Sequence, residues 1–501
     1  MMTKMEIPEY VKKVIGELQA RGFEAYIVGG CVRDLLLNKV PGDWDIATNA
    51  LPEQIQEIFP DSFYKNKFGT VTIKNQKSKI KYQKSHSQEV EITTYRTESK
   101  YTDKRHPDEV KFAKTLEEDL GRRDFTVNAM ALSLPTANSK QPTADDTQKL
   151  VVVDLFGGQK DLKDKIIRAV GDPKKRFGED ALRLMRAVRF ACQLGFQIEP
   201  KTLAAIKENS QWLRAIAKER IRDELVKIIM SSSPDQGILL LKDTGLLTHI
   251  VPELEIGIGM AQNRHHIYTI FEHSVLSLKF AAQYKFFLAV RLAALFHDIA
   301  KPQTKRGQGQ DATFYAHDIL GAKFTSRILE RLRFSRKIIE QVAHLVRYHM
   351  FFYDVETVTE AGVRRLLCRI GPENFQDLLN LRITDRLGSG CPKDKPYKLR
   401  HLEYLVEKVS RDPISPKMIK VNGNDVMKIL NIAPGPRVGL ILNALLSEIL
   451  DDPKKNIIDY LEKRVKELDK LSDAKLKSAV KNIIEKKEEV DLEIKQKYWV
   501  M

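Results

Sequence analysis

Two aspartates, Asp43 and Asp45, are separated by a single tryptophan in the stretch PGDWDIATNA, residues 41–50. Residues i and i+2 of a β-strand project to the same side, so both carboxylates face the same way if this stretch is a strand. Like charges a few ångströms apart repel, and a cation between them relieves the repulsion. Mg²⁺ binds carboxylate oxygens and keeps positions open for substrate phosphates, so the pair predicts a magnesium site. A bare D-x-D also occurs in solvated turns, and its neighbours must decide between the two interpretations.

Three neighbouring features favour the metal site. Gly29 and Gly30 lie in VGGCVRD, between a strand pattern and a helix start, where backbone N–H groups can approach a triphosphate. Glu91, in the strand-like stretch VEITTYR, is a candidate third carboxylate. The stretch EEDLGRRDFTVNAMAL adds four polar residues, which we expect at the start of an apolar helix: Arg122, Arg123, Asp124 and Asn128.

Asp180 and Arg183 lie three residues apart in GEDALRLMRAVRFA. On a helix, residues at this spacing are neighbours on one face. A carboxylate acceptor beside a guanidinium donor can hydrogen-bond to the edge of a nucleotide base, so the pair is a candidate for nucleotide selection. From the residues alone, a plain surface ion pair is the more common explanation of this spacing.

A second group of candidate ligands lies between residues 270 and 390. Its members are His273, His297, Asp298, His317, His349 and Asp385. Imidazoles and carboxylates from several helices form cages for divalent metals, and water activated by such a metal is a hydrolytic nucleophile. Single histidines in helices are usually structural. The adjacent pair His297–Asp298 differs because it lies in the apolar run ALFHDIAKP, where a buried carboxylate is costly unless another group compensates it.

The elements that position these residues change character along the chain. The first 155 residues alternate helix and strand patterns, which predicts a small sheet domain with polar excursions at 75–88 and 134–149. From residue 158 onward, apolar residues recur three and four positions apart, which predicts helices. We therefore expect an α+β fold, with a sheet domain at 1–155 and helical domains at 156–235, 255–400 and 401–501.

Composition limits the class of protein. The 501 residues include 83 Lys plus Arg and 67 Asp plus Glu, a net charge of +16 that suits a polyanionic partner such as RNA, DNA or an anionic membrane surface. The four cysteines are scattered without a C-x-x-C pair, which predicts reduced thiols. The N-terminus lacks the apolar core of a signal peptide, and no apolar run approaches the ~20 residues that span a bilayer. We expect a soluble, cytoplasmic protein without a membrane partner.

In their order and spacing, the N-terminal motifs resemble those of the class II tRNA nucleotidyltransferases, which are the CCA-adding enzymes and bacterial poly(A) polymerases of the polymerase-β superfamily. The resemblance implies that Asp43 and Asp45 bind Mg²⁺ and that Glu91 is the third catalytic carboxylate. It also implies a set of nucleotide-binding residues: Gly29, Gly30, Arg33, Arg122, Arg123, Asp124, Asn128, Asp180, Arg183, Arg186 and Arg220. VDLFGGQKDL resembles the hinge between the head and the neck of this family.

The order H…HD…D at His273, His297, Asp298 and Asp385 resembles the HD phosphohydrolase superfamily. The resemblance implies a divalent transition metal and a phosphatase or 2′,3′-cyclic phosphodiesterase activity. His317 and His349 extend the site if two metals bind. The four domains then become a nucleotidyltransferase head (1–155), a nucleotide-selecting and RNA-binding neck (156–235), an HD domain (255–400) and an RNA-binding tail (401–501).

The implied function is template-independent addition or repair of the 3′-terminal CCA of tRNA with CTP and ATP, with the acceptor arm and 3′ end of the tRNA as partner. RTESKYTDKRHPDEVKF resembles the flexible loop of enzymes that incorporate A, with Asp103, Arg105 and Pro107 at matching places. Three alternatives stay open. They are an A-adding enzyme or poly(A) polymerase of the same family, an HD hydrolase with a vestigial head, and a non-catalytic RNA-binding protein.

Overall fold

The structure is a computed structural model, and it describes residues 6–64, 69–74, 89–99, 109–135, 150–263, 267–351, 353–411, 419–451, 453–476, 492 and 495–499. The Lys-rich stretch 75–88 lies outside the described residues, as do Asp103, Arg105 and Pro107. The chain divides into two compact units. The first comprises residues 1–347 and 387–390, and the second comprises residues 348–386 and 391–501.

The first unit begins with a mixed sheet domain. Its elements in chain order are α1 (Glu9–Ala20), β1 (Ala25–Val28), α2 (Gly30–Leu36), β2 (Trp44–Thr48), α3 (Pro52–Ile58), β3 (Ser62–Tyr64), β4 (Thr70–Lys74), β5 (Glu89–Thr94), β6 (Arg96–Ser99), β7 (Glu109–Phe112), α4 (Leu116–Gly121), β8 (Ala131–Ser133) and β9 (Val151–Val153). Seven strands form one sheet in the order β3-β4-β5-β2-β1-β8-β9. In that sheet β2 and β5 run parallel and the other neighbouring strands antiparallel.

The alternation of side chains along β5 explains which face of the sheet is buried. Val90 and Ile92 point into the core, while Glu91 between them is partly exposed on the other face. α1 packs against β1 and buries Val11 and Ile15, which lie one helical turn apart. The predicted sheet domain is therefore confirmed, and its polar face is free to carry the candidate site.

The stretch 122–128 departs from the prediction of a helix start. α4 ends at Gly121, a short 3₁₀ turn covers Thr126–Asn128, and the apolar residues after it enter β8. The backbone explains the difference, because Thr126 N–H donates to Arg168 O at 3.0 Å and Val170 N–H donates to Asp124 O at 3.1 Å. These bonds tie the segment to the chain at 168–170, so its backbone groups are not available for an α-helix.

The rest of the first unit is helical, as the apolar spacing predicts. Its elements are α5 (Gly158–Asp164), β10 (Ile166–Ile167), α6 (Pro173–Glu179), α7 (Leu182–Leu194), β11 (Gln197–Ile198), α8 (Pro200–Asn209), α9 (Lys218–Ile229), α10 (Pro234–Asp243), α11 (Leu247–Ile250), α12 (Pro252–Glu255), α13 (Ile270–Gln283), α14 (Leu288–Phe296), α15 (Lys301–Thr304), α16 (His317–Arg331) and α17 (Arg336–Tyr348). β10 and β11 are a two-residue parallel pair. None of the described helices is both long and apolar enough to cross a membrane.

The helices that follow are α18 (Glu360–Ile370), α19 (Phe375–Gly388), α20 (Tyr397–Arg411), α21 (Gly423–Leu430), α22 (Pro436–Asp451) and α23 (Ile458–Leu468). In the second unit, α21, α22 and α23 pack around a core that includes Val426, Ile441, Leu445 and Leu461.

The predicted hinge, VDLFGGQKDL, joins the sheet domain to α5. The carboxylate of Asp154 accepts from the N–H groups of Gly158 at 2.7 Å and Gln159 at 2.9 Å, and so caps the helix. A Cβ on Gly158 would lie 2.3 Å from Thr126 O, so only glycine allows this close approach to the 3₁₀ turn. The segment therefore fixes the start of the helical region against the residues of the candidate site.

Candidate active sites

Strand pairing brings the acidic residues of the sheet domain together. Asp45 in β2 is directly opposite Glu91 in the parallel strand β5, and residues paired in this way project from the same face. Both are partly exposed, and Asp43 is exposed in the bend immediately before β2. These three residues offer carboxylate oxygens at an accessible face of the sheet, which is the donor chemistry that Mg²⁺ prefers. The grouping of Asp45 with Glu91 agrees with the sequence expectation.

Gly29 contributes space to the site. Its φ is +78°, and a Cβ at this position would lie 2.8 Å from Arg123 Nη1 and 3.7 Å from Asp45 Oδ2. The sequence predicted that the Gly29 N–H can approach a triphosphate, but in the structure this N–H donates to Met130 O at 3.3 Å. The glycine therefore lets a guanidinium and a candidate metal ligand approach the same turn of backbone.

Asp119 in α4 holds the two adjacent arginines and was missed in the sequence analysis. Arg122 Nη2 donates to Asp119 Oδ1 at 2.8 Å, and Arg123 Nη2 donates to Oδ2 at 3.1 Å. Burial by itself would raise the pKa of Asp119, but the charges of Arg122 and Arg123 outweigh it and hold that pKa below its usual value. The i, i+3 and i, i+4 spacing from Asp119 was the available sequence signal.

Asp124 joins the sheet domain to α7. Arg186 Nε in α7 donates to Asp124 Oδ2 at 2.7 Å, and Asn128 Nδ2 donates to Oδ1 at 3.2 Å. Asn128 Oδ1 in turn accepts from Arg33 Nη1 at 2.8 Å. Burial opposes ionisation of Asp124, yet the guanidinium groups of Arg186 and Arg183 lower its pKa to about 2. Four of the predicted nucleotide-binding residues are thus linked in one network.

The structure corrects the placement of Asp180 and Arg183 on a common helical face. α6 ends at Glu179, and Asp180 is extended with φ −141° and ψ 105° before α7 begins. Arg220 Nη2 from α9 donates to Asp180 Oδ2 at 2.7 Å, while Arg183 is paired with Glu179. The i, i+3 argument failed because a helix break separates the two residues, although both still lie where α6, α7 and α9 meet.

We call Asp43, Asp45 and Glu91, together with six arginines of the sheet domain and of the helices that follow it, the head–neck site. Its arginines are Arg33, Arg122, Arg123, Arg183, Arg186 and Arg220. Carboxylates on the sheet face and cations from the neighbouring elements are the groups needed to bind Mg²⁺ and a nucleoside triphosphate.

Four residues of the first unit form a buried group, which we call the histidine cluster: His273, His297, Asp298 and His317. His273 Nε2 and His297 Nε2 are 2.9 Å apart, and they lie 3.3 and 3.4 Å from Asp298 Oδ2. His317 Nε2 lies 3.5 Å from the other oxygen, Asp298 Oδ1. Donor atoms about 2.1 Å from one metal ion lie roughly 3.0–3.4 Å from one another. His273, His297 and Asp298 therefore fit a divalent metal ion, as their side-chain chemistry predicts.

Backbone carbonyls orient two of these imidazoles. His297 Nδ1 lies 2.9 Å from Ala294 O, and His317 Nδ1 lies 2.6 Å from Phe314 O. A carbonyl oxygen only accepts, so each Nδ1 carries the proton and each Nε2 keeps its lone pair toward Asp298. This is the tautomer that a metal-binding histidine requires.

Lys301, which was missed in the sequence analysis, completes the charge balance of the cluster. Its Nζ lies 2.6 Å from Asp298 Oδ2 and donates to Gln262 Oε1 at 2.6 Å. Burial would raise the pKa of Asp298, but a protonated His297 and the Lys301 ammonium hold it well below the usual value. When His297 is in the neutral form that binds a metal, Lys301 remains the cation beside Asp298. The spacing of three residues in HDIAKP was the sequence signal for this contact.

The other two predicted ligands belong to the second unit. His349 is buried just after α17, and Asp385 Oδ2 accepts from Arg382 Nη1 at 2.7 Å within α19. Their assignment as ligands stays a prediction.

Three family models match the chain in succession. The model described as "Poly A polymerase head domain" matches residues 25–168. "Probable RNA and SrmB- binding site of polymerase A" matches residues 195–256, and "HD domain" matches residues 270–386. The first match contains the candidate carboxylates, and the third contains the histidine cluster.

Individual proteins give a consistent comparison. The chain is 34% identical over 481 residues to a CCA-adding enzyme of Ligilactobacillus salivarius, which covers 94% of this chain and 99% of that protein. It is 45% identical over 253 residues to a CCA-adding enzyme of Limosilactobacillus fermentum, covering 50% of this chain and 57% of that protein. A crystal structure of a Bacillus stearothermophilus CCA-adding enzyme in complex with CTP matches with TM-score 0.56 and 28% identity, over 92% of this chain and 97% of that one.

Proposed function

The chain belongs to the family of CCA-adding enzymes, and we propose that it adds or repairs the 3′-terminal CCA of tRNA without a template, using CTP and ATP. One observation carries the proposal: a relative of that name aligns over 99% of its own length. The head–neck site supports it, because Asp45 and Glu91 are paired in register on an accessible sheet face.

The roles of the residues follow from their chemistry. Asp43 and Asp45 hold Mg²⁺, and Glu91 is the third carboxylate beside the 3′-hydroxyl of the tRNA. Bound Mg²⁺ supplies Lewis-acid stabilisation of the triphosphate and of the charge that develops during transfer. Arg33, Arg122, Arg123 and Arg186 face the polyanionic nucleotide, and the carboxylates of Asp119 and Asp124 fix the positions of three of these arginines.

Nucleotide selection falls to Asp180 and Arg183, with Arg220 as the partner of Asp180. Both selecting residues are engaged with protein groups, Asp180 with Arg220 and Arg183 with Glu179. A base whose edge offers matching donors and acceptors replaces these two contacts. Only such a complementary base restores the hydrogen bonds that Asp180 and Arg183 give up. Gly29 and Gly30 leave room for the nucleotide next to Arg123 and Arg33.

The tRNA acceptor arm is held through its phosphates and shape by basic residues of the helical region, in line with the net charge of +16. The scattered cysteines favour reduced thiols and a cytoplasmic location.

Purified protein, Mg²⁺ and a tRNA that ends at the discriminator base test this function. CTP and ATP are supplied separately and together, and the added residues are sequenced. We expect two C residues with CTP alone and CCA with both nucleotides. Addition of A without C would favour an A-adding enzyme or a poly(A) polymerase, and no addition under any condition would overturn the proposal.

A second activity is supported by the histidine cluster. We propose that His273, His297, Asp298 and His317 bind a divalent transition metal and hydrolyse phosphate esters, with His349 and Asp385 as predicted further ligands. The supporting observation is the convergence of the Nε2 atoms of His273 and His297 on one oxygen of Asp298. Protein loaded with Mn²⁺, Ni²⁺ or Zn²⁺ should release phosphate from p-nitrophenyl phosphate or open a 2′,3′-cyclic nucleotide. Failure with all three metals would exclude this activity.

A further inference from the structure

Phe190 in α7 lies at the junction of the sheet domain and the neck. Its side chain is 6% exposed, and its ring packs edge-on against Phe125 with the centroids 5.7 Å apart. Phe125 belongs to the segment that carries Asp124 and Asn128. A buried phenylalanine at such a junction is expected to contribute apolar packing, but its other neighbours are cations.

Three guanidinium groups surround the ring of Phe190. Arg33 Cζ and Arg186 Cζ are each 5.3 Å from the ring centroid, and Arg189 Cζ is 4.1 Å from it. Arg33 comes from α2 of the sheet domain, whereas the other two come from α7. A cation within about 6 Å of an aromatic centroid is attracted by the ring quadrupole, so one ring holds cations from both parts of the junction.

The far end of each guanidinium is anchored by a polar side chain. Arg33 donates to Asn128 Oδ1 at 2.8 Å and Arg186 donates to Asp124 Oδ2 at 2.7 Å. Arg189 Nη1 lies 3.0 Å from Glu224 Oε1. These contacts restrain one side of each guanidinium, and Phe190 restrains the other.

Burial and a neighbouring like charge both disfavour the charged form of Arg189. Burial, followed by the nearby charge of Arg186, lowers the pKa of Arg189 to about 10, although Glu224 acts in the opposite direction. Three cations crowded around an alkyl side chain would repel each other without a compensating attraction. Carboxylates offset part of this repulsion, because Arg33, Arg186 and Arg189 pair with Asp34, Asp124 and Glu224. The aromatic face adds a further attraction and brings no additional anion near a bound phosphate.

We propose that Phe190 is a positioning residue for the nucleoside triphosphate, and that its ring fixes Arg33 and Arg186 at the separation needed to grip the phosphate chain. This inference rests on the proposed function. It adds a residue that touches no substrate and whose effect is exerted through two arginines. Removal of the ring should weaken nucleotide binding while the carboxylates that support chemistry stay in place.

The test compares Phe190→Leu with a matched control, Phe196→Leu. Phe196 follows α7 in the same neck and is 9% exposed, so both variants remove a buried ring from one region. For Phe190→Leu we expect KM for both CTP and ATP to rise about tenfold, or about 1.4 kcal/mol, with kcat within twofold of wild type. Phe196→Leu should lower the melting temperature with KM unchanged. An unchanged KM in Phe190→Leu, or an equal rise in both variants, would overturn the inference.

Fluorination separates the electrostatics of the ring from its shape. Replacing Phe190 with mono-, di- and trifluorophenylalanine leaves the ring nearly the same size and withdraws charge from its face. KM should rise stepwise with each fluorine, and a flat series would contradict the proposal even if Phe190→Leu fails to fold. Wild-type protein that adds no nucleotide to tRNA would instead show that the proposed function itself is wrong.

Discussion

The head–neck site and the histidine cluster both gather charged groups, but they expose them to solvent to different degrees. In the head–neck site Asp43 is exposed and Asp45 and Glu91 are partly exposed. In the histidine cluster His273 and His297 are 0% exposed, and Asp298 is 1% exposed. The first site presents its carboxylates on a sheet face, while the second encloses its carboxylate among helices.

The two sites also satisfy their charges differently. The head–neck site uses ion pairs between side chains, such as Asp180 with Arg220, which a substrate can replace one at a time. Besides the ion pair of Lys301 with Asp298, the histidine cluster uses the backbone carbonyls of Ala294 and Phe314, which set the tautomer of two imidazoles. Ala294 lies within α14, so its carbonyl cannot move without unfolding that helix. This difference suits an open site to a tRNA end that must enter and leave, and a closed site to a retained ion. It also predicts that a substitution in one site leaves the activity of the other site unchanged.

The largest expected effect is the loss of nucleotide incorporation when the head–neck site is changed. Asp45→Ala removes one of the two aspartates that we propose hold Mg²⁺, and we expect nucleotide incorporation to fall at least ~10³-fold, since a metal ion supplies several kcal/mol of charge stabilisation. tRNA affinity should stay within twofold, because the basic helices are untouched. Primer extension and a filter-binding assay measure the two quantities. Equal loss of both would show that Asp45 maintains structure and not catalysis.

The reciprocal variant is Asp298→Asn. The amide keeps the size of the side chain but removes the charge on which His273, His297 and Lys301 converge. We expect metal affinity to fall about 100-fold, within the range that loss of a ligand or its support produces, while CTP incorporation stays at the wild-type level. Metal content after dialysis, measured by mass spectrometry, checks the first part. Full retention of metal would remove Asp298 from the ligand set.

The sequence predicted best what depends on strand geometry and local spacing. The strands of Asp45 and Glu91 and the helical character from residue 158 follow from periodicity, and the structure has these strands as β2 and β5. The register between β2 and β5 could not be predicted from the pattern of either strand alone. It pairs Asp45 with Glu91, which lie 46 positions apart in sequence.

Two wrong predictions, those for Asp124 and Asp180, share one physical cause, which is the use of backbone and side-chain groups by distant segments. Asp124 was expected at a helix start, but its carbonyl pairs with Val170. Asp180 was expected to face Arg183, but Arg220 from α9 binds it at a break between helices. Local spacing carries no information about such partners. Asp119 and Lys301 were within reach of the i, i+3 rule and were overlooked.

The pH dependence of the unfolding free energy tests whether the charged network around Asp124 is shielded from solvent as fully as the histidine cluster is. The pKa of Asp124 is lowered from 3.8 to about 2 in the folded protein. The ionised carboxylate therefore contributes fully to the unfolding free energy above about pH 4, and this contribution is lost as the pH falls toward 2. A shift of this size corresponds to about 2 kcal/mol of unfolding free energy. Urea unfolding of the wild type should weaken by this amount between pH 4 and 2. Asp124→Asn should lack that part of the slope, and identical slopes would contradict the assignment.

Arg220→Ala tests whether the ion pairs of the head–neck site serve specificity. Without Arg220, Asp180 Oδ2 loses the guanidinium that binds it, while Oδ1 keeps the Leu182 N–H. The carboxylate is then held less firmly, so bases other than C and A should be accepted more readily. We expect misincorporation of UTP and GTP relative to CTP to rise about tenfold, the size of one lost hydrogen bond to a charged group. Arg222→Ala, on the same helix, is the matched control and should leave fidelity unchanged. Unaltered fidelity in Arg220→Ala would assign Arg220 to neck stability alone.

The smallest effect concerns the helix that presents His273. Thr269 caps α13 by accepting from Glu272 N–H at 3.3 Å, and the Glu272 carboxylate accepts in return from Thr269 N–H at 2.9 Å. Thr269→Ala should cost about 1 kcal/mol of unfolding free energy, while Thr269→Ser keeps the cap and should stay near wild type. His273 is the fourth residue of α13 and is fully buried, so its neighbours should hold it when the cap is lost and metal affinity should change less than threefold. A large loss of metal with this small loss of stability would show that the histidine cluster is held less firmly than its burial indicates, and the contrast between a closed and an open site would weaken.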